Sequence, residues 1–295
     1  MIPVALRALN EGSDAAFADR LAGIVEHAPW VMERAARARP FGSLAALLAA
    51  VREVVLGADA PTRLALLRGH PELAGLAARS GSMTAESVSE QAGAGLDALP
   101  AERARAFDDL NADYAARHGF PFIIAVRRHG ADSILREFRR RAGQPREAEL
   151  ETATAEMLRV VALRLDAAVA ADDRLPVSGR LSTHVLDTAA GLPAAGVGIE
   201  LYELPEDGTP RLVAAATTNA GGRTDAPLLA DGPVPIATYE LRFRLGEYYR
   251  ARGTALSEPP FLDIVPIRFG VAEPEAHHHV PLAATPWSYS TYRGS

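Results

Sequence analysis

Histidines are concentrated near the end of this sequence, where His277, His278 and His279 follow one another. Successive side chains of a β-strand point to opposite faces, so an extended segment places His277 and His279 on one face and His278 on the other. Two imidazoles on a shared face suit proton transfer, because an unperturbed histidine has a pKa of about 6.5. We interpret this segment as one wall of an acid–base site, against which a second strand at residues 287–292 holds the end of the chain.

Two more residues of the same half have suitable chemistry. His184 lies in the strand-like run Leu-Ser-Thr-His-Val-Leu-Asp, and Arg223 lies in the turn-like run Gly-Gly-Arg-Thr-Asp. A neutral histidine can deprotonate an attacking water, and a fixed guanidinium can stabilise the oxyanion that forms. Two alternatives stay open at this point. A histidine in an apolar strand is commonly a packed residue without a chemical role, and a cluster of neutral imidazoles can also bind zinc.

A second constellation occurs in the first half of the chain. His70 follows the end of a helix predicted near residues 61–68 and precedes Pro71, so its position is restricted. On its own, a polar residue at a helix end is usually a cap. Further along, Ser87, Glu90 and Gln91 are spaced i, i+3 and i+4 in a helix predicted near residues 84–96, so they share one face. We expect that face to meet His70.

The chain between two further helices, predicted near residues 100–118 and 145–171, contains the apolar run Gly-Phe-Pro-Phe-Ile-Ile at residues 119–124. The proline predicts irregular chain crossing the core, whose backbone groups need hydrogen-bond partners.

Arg164 lies among leucines and valines in the last helix. The run of three arginines at 139–141 is interpreted as a solvated helix end, favoured there by the helix dipole.

The composition excludes several classes of function. The 295 residues include no cysteine and carry a net charge of −6. Thiolate nucleophiles, disulfides and cysteine-ligated metals are therefore excluded, and a nucleic-acid partner is not expected because phosphate binding needs an excess of basic residues. No apolar run approaches the length of a membrane span, so we expect no membrane partner and a soluble, cytoplasmic protein.

The character of the sequence changes near residue 175. Helical spacing of Ala, Leu, Arg and Glu gives way to short alternating runs separated by Gly and Pro. We predict a multidomain fold, with an all-α domain at residues 1–171, a linker at 172–179 and an all-β sandwich at 180–295. The predicted strands are 180–187, 197–204, 211–218, 238–245, 261–269, 277–282 and 287–292, with one helical turn near 247–252.

Several motifs of the β half occur together in one family. The Leu-Ser-Thr-His-Val-Leu-Asp and Gly-Arg-Thr-Asp runs, the His-x-His-Val-Pro-Leu run and the terminal Tyr-Arg-Gly-Ser resemble 5-hydroxyisourate hydrolase, the transthyretin-like enzyme of urate breakdown. The resemblance implies a transthyretin-like fold, a tetramer with active sites in a channel, and no metal. It implies that His184 and His279 are the catalytic histidines and Arg223 the catalytic anion clamp. It implies substrate-binding positions at His277, Tyr292 and Ser295.

The helical half is similar to a second family. Gly-His-Pro-Glu-Leu around His70, the Ser-x-x-Glu-Gln face, Phe-Pro-Phe-Ile and Leu-Arg-Leu resemble 2-oxo-4-hydroxy-4-carboxy-5-ureidoimidazoline (OHCU) decarboxylase, a cofactor-free enzyme. The resemblance implies that His70 and Glu90 transfer protons, and that Arg164 clamps a carboxylate or carbonyl. It implies substrate contacts from Ser87, Gln91 and the backbone near Phe122. We further expect Glu90, beside His70, to raise the pKa of that histidine.

Together the two halves resemble the bifunctional fusions called allantoin synthase. That resemblance implies hydrolysis of 5-hydroxyisourate to OHCU, followed by decarboxylation to (S)-allantoin without cofactors. It also implies a homo-oligomer, a tetramer through the β domain with dimer contacts through the helical domain. Three alternatives are kept: a hydrolase with a structural helical domain, a non-enzymatic transthyretin-like carrier, and a metal-dependent amidohydrolase.

Overall fold

The structure is a computed structural model that describes residues 3–74, 84–206 and 209–294. It divides the chain into two units, Met1–Val177 and Ser178–Ser295. The first unit is helical and the second is built from strands, as the change of composition near residue 175 predicts. The division lies inside the segment 172–179 that the sequence suggests as a linker.

Within its described residues, the first unit is built from helices joined by short turns. A short parallel pair, β1 (Val4–Ala5) with β2 (Val169–Ala170), brings the two ends of the unit together. The last helix is shorter than predicted because residues 169–170 leave the helix to make this pair. None of the described helices combines the length and apolar character needed to cross a bilayer. The helices are α1 (Leu6–Glu11), α2 (Asp14–Arg20), α3 (Pro29–Ala35), α4 (Leu44–Leu56), α5 (Ala60–Arg68), α6 (Ala85–Gly93), α7 (Ala101–His118), α8 (Ala131–Ala142) and α9 (Arg146–Ala168).

Side-chain caps determine where several helices begin. The hydroxyl of Ser13 caps α2 by accepting a hydrogen bond from the backbone N–H of Ala16 at 3.2 Å. Asp59 caps α5 through the N–H of Thr62 at 2.8 Å. Thr84 caps α6 by accepting from the N–H of Ser87. Each bond satisfies a backbone donor that the helix leaves free. The cap of α6 thereby fixes the start of the helix that carries Ser87, Glu90 and Gln91, and the cap of α5 fixes the start of the helix that precedes His70.

The apolar run after α7 crosses the core as irregular chain, as predicted. Phe120, Phe122 and Ala125 are buried. The carbonyl of Ile123 accepts from Arg141 at 2.8 Å, and the N–H of Ala125 donates to Glu156 at 2.9 Å. Side chains therefore supply partners for two backbone groups that a helix or a sheet would otherwise satisfy.

The interpretation of the three arginines as a solvated helix end is wrong for Arg141. Arg139 and Arg140 are exposed, but the side chain of Arg141 is 2% exposed and forms an ion pair with the buried Glu149. Its guanidinium also lies 4.4 Å from the ring centroid of Phe122. The reason is helical periodicity, because Arg141 follows the buried Ile134 and Phe138 on the same face of α8.

Within its described residues, the second unit contains three small sheets and the short helix α10 (Leu245–Ala251). The strands are β3 (Gly179–Ser182), β4 (Val185–Asp187), β5 (Leu192–Pro193), β6 (Gly198–Glu203), β7 (Arg211–Thr217), β8 (Leu229–Gly232), β9 (Ala237–Arg244), β10 (Ile264–Val271), β11 (His277–His279), β12 (Leu282–Ala284) and β13 (Tyr289–Thr291). The sheets have strand orders β10-β9-β6-β7, β11-β3-β8 and β13-β12-β4-β5. The hydrophobic core of the unit includes Leu181, Leu201, Leu241 and Phe243, which are fully buried.

Two of the predicted strands are divided in the structure. The segment 180–187 forms β3 and β4, with His184 between them, and the segment 277–282 ends as β11 after His279. β11 runs parallel to β3, with His279 opposite Ser182, whereas β12 runs parallel to β4. The gap between β3 and β4 therefore lies beside the gap between β11 and β12, and His184 is in the first of these gaps.

Candidate active sites

An open pocket in the helical unit collects the residues that its sequence motifs suggest. It is bordered by the end of α5, one face of α6, the irregular segment after α7 and the side of α9. The predicted face of α6 borders the same pocket as His70. The pocket is lined by His70, Pro71, Leu73, Ser87, Glu90, Gln91, Phe122, Ile123, Ile124, Val126, Val160 and Arg164.

His70 is held by its own helix. Its Nδ1 lies 3.2 Å from the carbonyl oxygen of Leu66, and since a carbonyl can only accept, Nδ1 carries the proton. Burial lowers the pKa of His70 to about 4. The imidazole is therefore neutral at pH 7, with the lone pair on Nε2. The expectation that Glu90 raises this pKa is wrong, because burial dominates and the carboxylate of Glu90 is bound to Arg164 instead of to His70.

Arg164 is the centre of a buried ionic network. Its Nε and Nη2 donate to the two carboxylate oxygens of Glu90 at 3.0 and 2.8 Å, the two-point geometry that a guanidinium favours. Its Nη1 donates to Glu26 and to the carbonyl of Gly23, both at 3.1 Å, and Nη2 also donates to the hydroxyl of Ser87 at 3.0 Å. These contacts use all five N–H groups of the guanidinium. A substrate anion can therefore reach Arg164 only by displacing one of these acceptors.

Glu26 is a member of the site that sequence reasoning missed. Its side chain is fully buried, and one carboxylate oxygen accepts from the hydroxyls of Thr84 and Ser87, both at 2.9 Å, as well as from Arg164. Burial by itself would raise the pKa of Glu26, but these hydrogen bonds and the charge of Arg164 outweigh it and hold the pKa below its usual value. One signal was present in the sequence: an acid directly after the apolar pair Ile24–Val25, where a charge is unexpected without a partner.

Gln91 and Phe122 contribute to the pocket mainly as packed residues. The side chain of Gln91 accepts from the N–H of Ala74 at 2.8 Å and donates to the carbonyl of Glu72 at 3.3 Å, so it fastens the chain that follows His70. The ring of Phe122 is buried and stacked on Phe138, with the centroids 4.0 Å apart. Only the backbone of Phe122 is left for the substrate contact that the sequence suggests there.

In the β unit, the side chains of three histidines, one serine and one arginine form a continuous hydrogen-bonded row. His184 Nδ1 lies 2.8 Å from His279 Nε2, and His279 Nδ1 lies 2.8 Å from the hydroxyl of Ser182. The same hydroxyl lies 2.7 Å from His277 Nε2, and His277 Nδ1 is 3.1 Å from a guanidinium nitrogen of Arg180. We call these five residues the histidine row. Neither Ser182 nor Arg180 was singled out from the sequence.

The three imidazoles of the histidine row are neutral at pH 7. Burial lowers the pKa of each, and the neighbouring positive charges lower it further. Arg223 acts on His184 and His279, whereas Arg180 acts on His277. A neutral imidazole can accept a proton from water, which is the state that a general base requires.

Arg223 is brought beside His184 by a tight turn. The backbones of the two residues pair as an isolated antiparallel bridge. Gly222, which has a φ of +70°, makes the turn, and a Cβ at this position would lie 2.4 Å from the carbonyl oxygen of Val185. Arg223 is exposed, and within the described part of the chain its guanidinium has no hydrogen bond or ion pair. It is therefore available to an anion next to the two histidines.

The three consecutive histidines divide between two faces as the alternation predicts. His277 and His279 both contact Ser182, whereas Nε2 of His278 lies 2.8 Å from the carbonyl of Glu273. Among the described residues, no group of three His, Asp or Glu side chains converges as a metal site would require.

The end of the chain packs against the histidine row. The N–H of Gly294 donates to the carbonyl of His279 at 2.9 Å, and β13 pairs with β12. Tyr292 is 61% exposed. Ser295 lies outside the described residues, so its expected contact with substrate stays a prediction.

Replacing Gly294 with alanine should lower the activity of the β site by about 10- to 100-fold, because a displacement of roughly 1 Å is enough to misalign reacting groups. A Cβ on Gly294 would lie 2.6 Å from Cδ2 of His279 and would push the imidazole aside. The matched control is Gly270→Ala in β10, where the new Cβ meets nothing within 4 Å. Steady-state kinetics of both variants check this prediction, and equal rates for the two would contradict it.

Two family models match the chain. OHCU decarboxylase matches residues 10–166, and the HIUase/Transthyretin family matches residues 181–294. Each family model therefore matches one of the two structural units.

Individual relatives follow the same division. A 5-hydroxyisourate hydrolase from Mesorhizobium japonicum is 58% identical over 118 residues, which are 40% of this chain and 93% of that protein. A 2-oxo-4-hydroxy-4-carboxy-5-ureidoimidazoline decarboxylase from Haloferax volcanii is 38% identical over 165 residues, 56% of this chain and 96% of that protein. The crystal structure of an (S)-allantoin synthase aligns with 99% of this chain and 100% of its own, with a TM-score of 0.52 and 33% identity.

Proposed function

Because this chain belongs to the OHCU decarboxylase family and to the HIUase/transthyretin family, it is a bifunctional enzyme of urate catabolism, and we propose that each unit performs the reaction of its family. The β unit hydrolyses 5-hydroxyisourate to OHCU. The helical unit then decarboxylates OHCU to (S)-allantoin. The observation that supports this most strongly is that both motif sets converge, each on its own site.

Hydrolysis needs a base, an acid and a group that stabilises an oxyanion. The pair His184–His279 takes a proton from water, whose oxygen bonds to a carbonyl carbon of the cyclic ureide. Arg223, unpaired among the described residues and adjacent to the pair, stabilises the negative charge on the carbonyl oxygen. When the carbon–nitrogen bond of the ring breaks, the histidine pair returns its proton to the leaving nitrogen. No net proton is gained or lost by the protein.

Decarboxylation needs orientation more than activation. The bond to the carboxylate breaks, its electron pair moves into the neighbouring C=N group, and carbon dioxide leaves. The nitrogen that receives the electron pair takes a proton from solvent. The former C=N carbon then takes a proton on one face as the adjacent hydroxyl loses its own proton and becomes the carbonyl, and this sets the handedness of the product. The neutral His70 suits proton transfer at the ring, and Arg164 suits recognition of the substrate anion. Glu90 is the acceptor that such an anion would displace, since Glu90 is half-buried whereas Glu26 is fully buried.

A single coupled assay tests both reactions. Urate oxidase generates 5-hydroxyisourate from urate in the cuvette, the protein is added, and ultraviolet absorbance and circular dichroism are followed together. Rapid loss of 5-hydroxyisourate and a strong dichroic signal of one allantoin enantiomer are expected. Rapid loss that yields only slow, racemic allantoin would leave a hydrolase with a structural helical unit. No acceleration would favour the carrier alternative, although a row of polar side chains is a poor lining for an apolar ligand.

Chelation tests the alternative that the β unit is a metal-dependent amidohydrolase. We expect the hydrolase rate to be unchanged after exhaustive treatment with EDTA, because the row of imidazoles makes its hydrogen bonds within the protein. Loss of the rate on chelation, with recovery on addition of zinc, would contradict the proposed hydrolytic mechanism.

The pH dependence of decarboxylation distinguishes the two roles open to His70. Its pKa of about 4 means that the imidazole is neutral above that pH and becomes charged as the pH falls through it. If the neutral form acts by accepting a proton at Nε2, kcat/KM should be flat from about pH 8 to about pH 5 and should fall near pH 4. If the imidazolium were required, the rate would be low at pH 7 and would rise toward acid pH. The variant His70→Ala should decarboxylate OHCU no faster than its spontaneous decay at any pH, and that decay is subtracted at each pH.

We also propose that the protein is a homo-oligomer, a tetramer through the β unit with further contacts between helical units, in the cytoplasm. The sheet β13-β12-β4-β5 supports an interface, because Leu186, Leu192 and Tyr289 on its strands and Trp287 in its turn are exposed. Light scattering after size exclusion tests the stoichiometry, and a monomer at micromolar concentration would contradict it.

A further inference from the structure

Arg180, at one end of the histidine row, fixes which atoms donate and which accept in the first two hydrogen bonds of the row. An arginine has no acceptor, so Arg180 must donate to Nδ1 of His277. The proton of the neutral His277 is consequently on Nε2, and this N–H donates to the hydroxyl of Ser182 at 2.7 Å. One lone pair of Ser182 is therefore always occupied.

Ser182 has one proton and one lone pair left for His279, and the choice between them decides the state of both catalytic histidines. If Ser182 donates to Nδ1 of His279, the proton of His279 is on Nε2 and donates to Nδ1 of His184, which then presents an N–H on its own Nε2. If Ser182 accepts from Nδ1 of His279, each proton is on Nδ1 and His184 presents a lone pair on Nε2. The first arrangement offers a hydrogen-bond donor at Nε2 of His184, and the second offers a base.

We propose that Ser182 is a positioning residue for hydrolysis, whose hydroxyl couples the tautomers of His279 and His184 to the His277–Arg180 end of the row. This inference rests on the proposed hydrolase function. Turning one hydroxyl allows the pair to present a base to water. After His184 has taken the proton from water, Ser182 accepts from Nδ1–H of the protonated pair until the proton passes to the leaving nitrogen.

Without the hydroxyl, Nδ1 of His279 loses its side-chain partner and keeps only the backbone of Ser182 on this side of the row. The tautomer of His279 is then no longer linked to His277 through a hydroxyl that can turn, and an imidazole that has lost a side-chain hydrogen bond is less well oriented. The charged and titratable groups that act on the pair are Arg223 from the turn at Gly222 and His277 from β11. Arg180 from β3 and His278 from β11 act on His277. Loss of the link should therefore change the pH profile as well as the rate.

The decisive comparison is Ser182→Ala with Ser182→Thr. We expect the alanine variant to lower kcat for 5-hydroxyisourate hydrolysis by about 10- to 100-fold with little change in KM, and to move the acid limb of the pH profile. The threonine variant keeps the hydroxyl and should restore most of the rate. Decarboxylation by the same preparation serves as the internal control for folding and concentration.

A second variant changes Arg180, the exposed residue at the other end of the row. Arg180→Met should raise the pKa of His277 and move the acid limb of the hydrolase profile to higher pH, because the charge of Arg180 lowers that pKa. Arg268→Met, another exposed arginine on a strand of the same unit, should leave the profile unchanged. Both positions are exposed, so neither change should prevent folding.

The outcomes separate this inference from the proposed function. A wild-type protein that does not accelerate hydrolysis overturns both. A wild-type protein that hydrolyses 5-hydroxyisourate, together with a Ser182→Ala variant of equal kcat and an identical pH profile, overturns only the role of Ser182. Nitrogen-15 shifts of the histidine rings provide an independent readout, since the tautomer populations of His279 should change in Ser182→Ala and return in Ser182→Thr.

Discussion

Replacing Arg164 with methionine is expected to abolish measurable decarboxylation and to lower the free energy of unfolding of the helical unit by about 3–5 kcal/mol. The guanidinium is 6% exposed and lies between the carboxylates of Glu26 and Glu90. Without it, Glu26 keeps a buried negative charge that only Thr84 and Ser87 can stabilise. An uncompensated buried charge is among the costliest consequences of a single substitution.

Denaturant unfolding followed by helical circular dichroism measures this effect, because most of the helix is in the first unit. The control is Arg7→Met, whose side chain is 87% exposed and pairs with an exposed glutamate, and which should change the free energy of unfolding by less than about 1 kcal/mol. An Arg164→Met protein as stable as wild type would contradict the description of this network.

A double variant separates stability from chemistry. Adding Glu26→Gln to Arg164→Met removes one of the two stranded charges while keeping a side chain of similar shape in contact with Thr84 and Ser87. We expect part of the lost stability to return, whereas decarboxylation should remain absent because no guanidinium is left to bind the substrate anion. Recovery of activity along with stability would mean that Arg164 has only a structural role.

The second large effect is expected at His279. Replacing it with alanine should lower the rate of 5-hydroxyisourate hydrolysis by about 10²–10⁴-fold, the usual contribution of a positioned acid–base group. The change removes the bond to His184 and the bond to Ser182 at once. The loss of 5-hydroxyisourate made by urate oxidase is followed by absorbance, and OHCU made by a separate hydrolase tests whether decarboxylation is retained.

His278→Ala is the matched control, because His278 is the adjacent residue but bonds to Glu273 on the opposite face of the strand. We expect its hydrolase rate to stay close to that of wild type. Equal losses in the two variants would show that the division of the histidines between two faces has no functional meaning. His70→Ala should have the complementary effect, with hydrolysis retained and decarboxylation lost.

Local patterns determined much of this protein from the sequence alone. The change near residue 175 separates a helical unit from a β unit because helical and strand periodicities differ in any context. Alternation placed His277 and His279 on one face, and i, i+3, i+4 spacing placed Ser87, Glu90 and Gln91 on another. Motif resemblance then indicated which residues meet. These features depend on neighbours in the chain, which a sequence displays directly.

The tertiary structure decided the properties that depend on distant partners and on burial. Glu26 joins Arg164 across 138 positions, and Ser182 lies between His277 and His279 across 95 and 97 positions. Burial, and not the proximity of a carboxylate, decides that the pKa of His70 is lowered and not raised. The state of an ionisable group depends on its solvent and on its nearest charges, and both are set only when the chain packs. For this reason the sequence suggested many residues of the two candidate sites, whereas only the packed structure added Glu26, Ser182 and Arg180 and determined the hydrogen bonds of both sites.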